Sequence, residues 1–189
     1  GKGPLPTQAS YYYSRPQLRV EAEIRVAAVA APTRMQGVAW LDHEWSSAAL
    51  ADDAAGWDWI GMNLDDGSAL LAFQIRRQGA ATSDTPLRSY AAFRDPDGAI
   101  RVVNPAAVRF TPLLPWTSTR SRAVWPISQR IAVGDRVFET APLMPDQELD
   151  SRLTTGAVYW EGASTLLEGG RPVGRGYLEM TGYVTPLRL

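Results

Sequence analysis

The sequence contains no cysteine. That excludes disulfides, thiolate zinc sites, iron–sulfur clusters and cysteine nucleophiles, and leaves the compartment open, because a stable β-barrel needs no covalent staples. It contains one histidine, His43, which excludes any site needing two and leaves little freedom for a Ser-His-Asp triad. Long apolar runs are missing: nothing approaches the roughly 20 residues of a membrane-spanning helix, and no basic–apolar–cleavage-site signal peptide is present. An excess of one charge is missing too. Lys plus Arg number 19 and Asp plus Glu 20, for a formal net charge of -1. This removes a strongly basic nucleic-acid binder and any simple attraction to anionic lipid. There is no Gly-x-Ser-x-Gly elbow, phosphate-binding loop or dinucleotide fingerprint. Gly1 stands where an initiating Met would, so we expect a cut piece of a longer chain whose targeting signal lies outside it.

What is present is core material. Of 189 residues 45% are hydrophobic, and seven Trp, seven Tyr and four Phe are among them, enough for one well-packed domain. Residues 1–10 read as a Gly/Pro-rich arm or linker and 11–189 as the domain. Short alternating segments recur, bounded by turn residues. Leu18–Val29 alternates apolar with Arg and Glu, and Met35–Trp45 follows after the turn Ala31-Pro32-Thr33-Arg34. Trp57–Leu64 and Ala69–Arg77 flank Asp66-Gly67, a strong hairpin signal. Arg88–Phe93 and Ile100–Val103 flank Asp97-Gly98. Val108–Leu113 ends in a Pro-containing stretch. Pro126–Val133 and Arg136–Ala141 flank Gly134-Asp135, and Val158–Leu167 and Val173–Val184 flank Gly169-Gly170. Only Ser46–Ala55 hints at helix, with a Ser cap and Gly56 beyond. About ten strands without crossover helices give an all-β antiparallel fold: an up-and-down barrel, with a two-sheet sandwich as the alternative.

The densest polar–aromatic cluster is Trp40-Leu41-Asp42-His43-Glu44-Trp45. On a strand, alternate side chains share a face, so His43 and Trp45 point one way and Trp40, Asp42 and Glu44 the other. Adjacent residues that diverge cannot converge on a metal without a bulge, and no metal or cofactor is expected. Trp57 and Trp59 share a face with Gly61 and Asn63, as barrel core or as the wall of a pocket. Gln74 and Arg76 share the face opposite Leu71, Phe73 and Ile75, and Arg76 is either an anchor for an anionic group or solvated. Tyr159, Glu161, Tyr177 and Glu179 gather aromatic rings and carboxyls. A carboxyl in an apolar pocket stays protonated near neutrality and can act as a general acid; the competing reading pairs Glu148, Glu161 and Glu179 with arginines.

Tyr11-Tyr12-Tyr13-Ser14-Arg15-Pro16, Gly37-Val38-Ala39-Trp40-Leu41-Asp42-His43-Glu44-Trp45 and Gly56-Trp57-Asp58-Trp59-Ile60-Gly61 together resemble the AttH/CrtC-type lipocalin-like family. So do Asp146-Gln147-Glu148, Tyr159-Trp160-Glu161-Gly162 and Gly176-Tyr177-Leu178-Glu179-Met180-Thr181-Gly182-Tyr183. The resemblance runs from about Tyr11 to Tyr183. Members are labelled secreted hydrolases, and carotenoid 1,2-hydratases and fungal pericyclases are relatives. The resemblance implies two consecutive lipocalin-like barrels with a ligand site near their junction, this chain being the C-terminal barrel portion. It implies a periplasmic or secreted location, a hydrophobic small-molecule ligand, and the chain's own N-terminal lipocalin-like domain as partner. In the hydratases a His-x-Trp pair works with a downstream Tyr and Asp. His43 and Trp45 match the first pair, whereas Phe73 and Gln74 stand where the second is sought.

Three readings follow. In the first, an enzyme acts on a polyene- or terpenoid-like molecule. His43, with Asp42 or Glu44, moves a proton, and Trp45, Trp57 and Trp59 line the site with Gln74, Arg76, Tyr159, Glu161, Tyr177 and Glu179 as further ligand contacts. In the second, the domain is a carrier or sensor without chemistry. In the third, it is a structural barrel docking on its neighbour.

Overall fold

A computed structural model describes residues 10–25, 31–46, 52–79 and 85–186. Twelve strands follow one another. β1 (Ser10–Ile24) and β2 (Thr33–Ser46) form a two-stranded antiparallel sheet of their own. β3 (Ala54–Leu64), β4 (Ala69–Arg77), β5 (Arg88–Arg94) and β6 (Ile100–Val103) make one meander. After a single 3-10 turn, Pro105–Ala107, come β7 (Val108–Thr117), β8 (Val124–Val133), β9 (Arg136–Pro142), β10 (Glu148–Ser151), β11 (Ala157–Glu168) and β12 (Arg171–Thr181). These ten form one sheet in the order β6-β5-β4-β3-β12-β11-β9-β8-β7, with β10 beside β11. The pairing of β12 with β3 joins the two meanders, and the sheet curls into a half-barrel. The all-β antiparallel reading therefore stands.

Local chemistry sets the hairpins. Glu168 pairs with Arg171 across Gly169 and Gly170, whose φ values are 57° and 76°. Two successive left-handed residues match the right-handed twist of the flanking strands, and glycine adopts them without steric cost. The concave side is packed solid. Trp125, Trp160, Phe138, Ile60, Met62 and Leu70 are sealed from solvent there. β6 and β7 end the sheet without a ladder between them among the described residues. Side chains hold that seam: the Phe93 and Phe138 rings lie 6.3 Å apart, and the Arg136 guanidinium sits over both, at 5.3 and 4.7 Å.

Four boundaries differ from expectation. β1 begins at Ser10, well before Leu18, and takes in all three tyrosines; residues 1–9 of the expected arm lie outside the described residues. Part of the expected helix, 47–51, also lies outside them, while Ala54 and Ala55 open β3. β7 continues through Pro112 and Pro115, with register shifts at both, because an edge strand can lose ladder donors on its open side. β10 is too short to stand out by alternation.

β3 and β4 are buried on both faces. Their outer face carries a second cluster, Trp59, Leu71, Phe73 and Ile75, and Tyr12 and Trp40 of the β1–β2 hairpin pack against it. The hairpin is tied down at a bulge between Arg15 and Leu18. There Gln17 donates its N–H to Asn63 Oδ1 (2.8 Å) and its side-chain amide to the carbonyls of Leu64 (3.0 Å) and Ser68 (2.7 Å).

Candidate functional site

Ladder register aligns the outward residues into rows. One row runs Glu161, Glu179, Trp59, Phe73, Tyr90 across β11, β12, β3, β4 and β5. The next runs Ala163, Tyr177, Gly61, Leu71, Ala92. Small residues in this second row leave the sheet hollow beside the aromatic band. Gly61 is a close approach, since a Cβ there would collide with the rings of Trp59 and Trp40. Gly61→Val is therefore expected to push Trp40, and the hairpin with it, off the sheet. The check is proteolysis of β1–β2 and a red shift of tryptophan emission, and unchanged resistance and emission would contradict the packing described.

Alternation along β1 and β2 turns Tyr12, Ser14, Trp40 and Asp42 toward the sheet. Trp40 meets Trp59 edge-on, centroids 6.0 Å apart at 83°. Trp59 Nε1 donates to the Tyr12 hydroxyl oxygen (3.1 Å), Ser14 Oγ donates to the same oxygen (2.8 Å), and Trp40 Nε1 donates to Asp42 Oδ1 (2.7 Å). Burial pushes the Tyr12 phenol far up, and the charge of Asp42 adds to this. The hydroxyl thus stays a donor.

The hairpin crosses the outer face like a bar, leaving an open-sided cleft on either side. The larger, about 920 Å³, lies between β2 and the β3–β12–β11 face and is lined by Trp40, Asp42, Trp59, Gly61, Tyr177 and Glu179, among others. The smaller, about 420 Å³, lies between β1 and the β4–β5 face. Trp40 borders both.

Two neighbouring carboxyls differ in their partners: Glu179, which lines the larger cleft, and Glu161, one ladder position beyond its lining. Glu179 accepts from Trp57 Nε1 at 2.6 Å. The carboxyl of Glu161, directly across the ladder from Glu179, has no hydrogen bond or ion pair among the described residues, and burial pushes it up. The Tyr177 phenol is raised by burial and then by the charges of Glu161 and Glu179. Such a pair, one carboxyl biased toward its protonated form and one holding an indole N–H, suits proton delivery and retrieval.

The structure brings Trp57, Trp59, Glu161, Tyr177 and Glu179 together on one face, with Tyr159 farther along β11. It separates the rest. His43 and Trp45 lie on the hairpin's far side with Tyr11 and Tyr13: His43 is 5.4 Å from Trp45 and 5.6 Å from Tyr13, and Tyr11 stacks on Trp45 at 5.6 Å. His43 lines neither cleft. Asp42 turns to the larger cleft, and Glu44 shares its side, level with Tyr12. Gln74 and Arg76 face the interior and engage Asp58, and neither lines either of the two clefts described above. Glu148 does pair with an arginine, Arg120. Sequence reasoning missed Tyr12 and Tyr90. The run Tyr11-Tyr12-Tyr13 held a signal for the first, since a three-tyrosine strand must send one ring opposite to the other two. Among the described residues no cluster of three or more His, Asp or Glu could hold a metal ion, and no helix is long and apolar enough to cross a membrane.

The profile of the AttH-like family matches residues 1–183. A solved structure of a protein assigned as AttH, from Nitrosomonas europaea, is 51% identical, with a TM-score of 0.86 over 96% of this chain and 55% of that one. Kievitone hydratase from Nectria haematococca is 19% identical, with a TM-score of 0.70 over 93% of this chain and 53% of that one, and shares the fold. The chain thus spans about half the length of each. No match was found among curated proteins.

Proposed function

The chain belongs to the AttH-like family, and from that premise we propose that the larger cleft binds a hydrophobic small molecule and adds water across one of its carbon–carbon double bonds, with Glu161 as the acid. The observation that supports this most is Glu161 itself: a half-buried carboxyl without a partner among the described residues, one ladder position from Glu179 and next to an aromatic wall. The Glu161 proton passes to the less substituted alkene carbon. The cation left on its neighbour is faced by the rings of Trp59 and Trp40, whose π-faces favour positive charge. Water adds there, and the oxonium releases a proton to the Glu179 carboxylate. Alkene plus water gives alcohol, and proton exchange restores both carboxyls. The name of kievitone hydratase supplies the reaction class to test first. His43, on the far side of the hairpin with Tyr13 and Trp45, takes no step.

The intact protein is incubated in ¹⁸O-water with kievitone and with acyclic polyenes. A product heavier by one labelled water is expected. Glu161→Gln should lower turnover about 100-fold with ligand quenching of tryptophan emission unchanged, while His43→Ala stays within about threefold. Loss on His43→Ala with Glu161→Gln active would move the chemistry to the hairpin's far face. Quenching without hydration would leave a carrier, and no quenching would remove the small-molecule reading. Stability gives an independent readout. A carboxyl whose folded pKa is raised destabilises the fold as pH climbs from its ordinary, unfolded value of 4.5 toward the folded one. Glu161→Gln should therefore raise Tm at about pH 7.5 and leave it unchanged at about pH 3.5.

A further inference from the structure

We propose that the smaller cleft is a separate site for a lipophilic carboxylate. Its floor is Leu71 and Phe73 of β4 with Tyr90 of β5, and the Phe73 and Tyr90 rings are stacked at 5.6 Å and 26°. β1 roofs it with Tyr12 and Ser14. At about 420 Å³ it falls within the range of small-molecule sites.

Charge sets its selectivity. Among the described residues the larger cleft is lined by Asp42, Asp65 and Glu179 against one cation, Arg175. Among the described residues the smaller is lined by Arg88 and Arg94 and by no carboxylate. The two arginines share the outward face of β5 and stand roughly 20 Å apart along it, one toward each end of the apolar slot. Arg94 is half-buried, and its guanidinium has no hydrogen bond or ion pair among the described residues. The nearest acid in sequence, Asp95, is already held by Arg101 at 2.9 Å. A partly desolvated guanidinium without a counter-charge favours an anionic head, and a carboxylate meets its fork with two parallel hydrogen bonds. The aromatic floor takes the chain. An anion would be repelled from the acidic cleft and accepted here, so the two sites sort ligands by charge.

The probes are cis-parinaric acid and its methyl ester, titrated into the intact protein with energy transfer from tryptophan as the readout. The acid should bind about tenfold more tightly than the ester, the worth of one charge-assisted pair. Arg94→Gln should erase that preference with ester affinity unchanged, and Tyr90→Ala should weaken both probes. Added salt should narrow the preference in the wild type, a readout independent of any variant's folding. Glu161→Gln should change neither affinity, so failure of the hydration proposal leaves this one standing, and the reverse. Equal affinity for acid and ester, or a preference that survives Arg94→Gln, would overturn it.

Discussion

Asp58→Ala is expected to lower the unfolding free energy by about 3–5 kcal/mol. Asp58 is 1% exposed. Its carboxylate accepts from Gln74 Nε2 at 2.7 Å and from the Tyr183 hydroxyl at 2.9 Å, and lies 3.3 Å from Arg76 Nε. Arg76 in turn lies 3.9 Å from the centroid of the Tyr183 ring and donates to the Thr181 carbonyl. Removing the carboxylate strands a guanidinium whose side chain is 17% exposed, together with two neutral donors. The Tyr183 phenol does not relieve this by ionising, because burial, the largest cause of its raised pKa, remains when Asp58 is gone. The double variant Asp58→Ala/Arg76→Met should recover much of the loss, since the stranded charge is gone. Urea unfolding of the single and double variants measures this. A loss below about 1 kcal/mol for Asp58→Ala would mean water reaches the network. The effect should extend to the site, because Thr181 Oγ1 accepts the Trp57 N–H at 3.1 Å and Trp57 holds Glu179.

The hairpins were legible because turn chemistry is local. β4 and β6 fall where Asp66-Gly67 and Asp97-Gly98 place them, and both glycines have positive φ, 85° at Gly67 and 95° at Gly98. The identity of the wet face was not legible. Alternation reports a face only when one side meets solvent, and in β3 and β4 both sides are covered, one by the barrel core and one by the hairpin. Trp57 and Trp59 therefore read equally well as lumen or wall, and only the register of β1–β2 against the sheet decides. The split within Trp40–Trp45 was legible, since period-two alternation alone sends His43 away from Asp42. Which half of that split meets the clefts depends on Gln17 gripping the β3–β4 turn, a contact 46 residues or more away in sequence.

Glu148→Ala is expected to be comparably severe, about 3–5 kcal/mol. The Glu148 side chain is 1% exposed and collects four donors. Oε1 accepts from Ser118 Oγ at 2.8 Å and Arg120 Nε at 3.4 Å, and Oε2 accepts from Ser121 Oγ at 2.5 Å and Trp125 Nε1 at 2.7 Å. Burial alone would raise this carboxyl, but the hydrogen bonds from Ser121, Trp125, Ser118 and Arg120 outweigh it and hold it below its usual range. Its contribution is thus complete above the unfolded value and lost as pH falls through the folded one. Glu148→Gln should lie well below wild type at about pH 7, and the gap should close toward about pH 3. A gap that stays constant would show that charge is not what these donors need. The same residue fixes β10, whose neighbour Gln147 accepts the Glu161 N–H at its carbonyl (3.1 Å) and the Ala163 N–H at its side chain (2.9 Å). Hydrogen exchange in Glu148→Ala should therefore lose protection at the Glu161 and Ala163 amides before the rest of β11. Protection retained there would mean that β11 holds the proposed acid in place without help from β10.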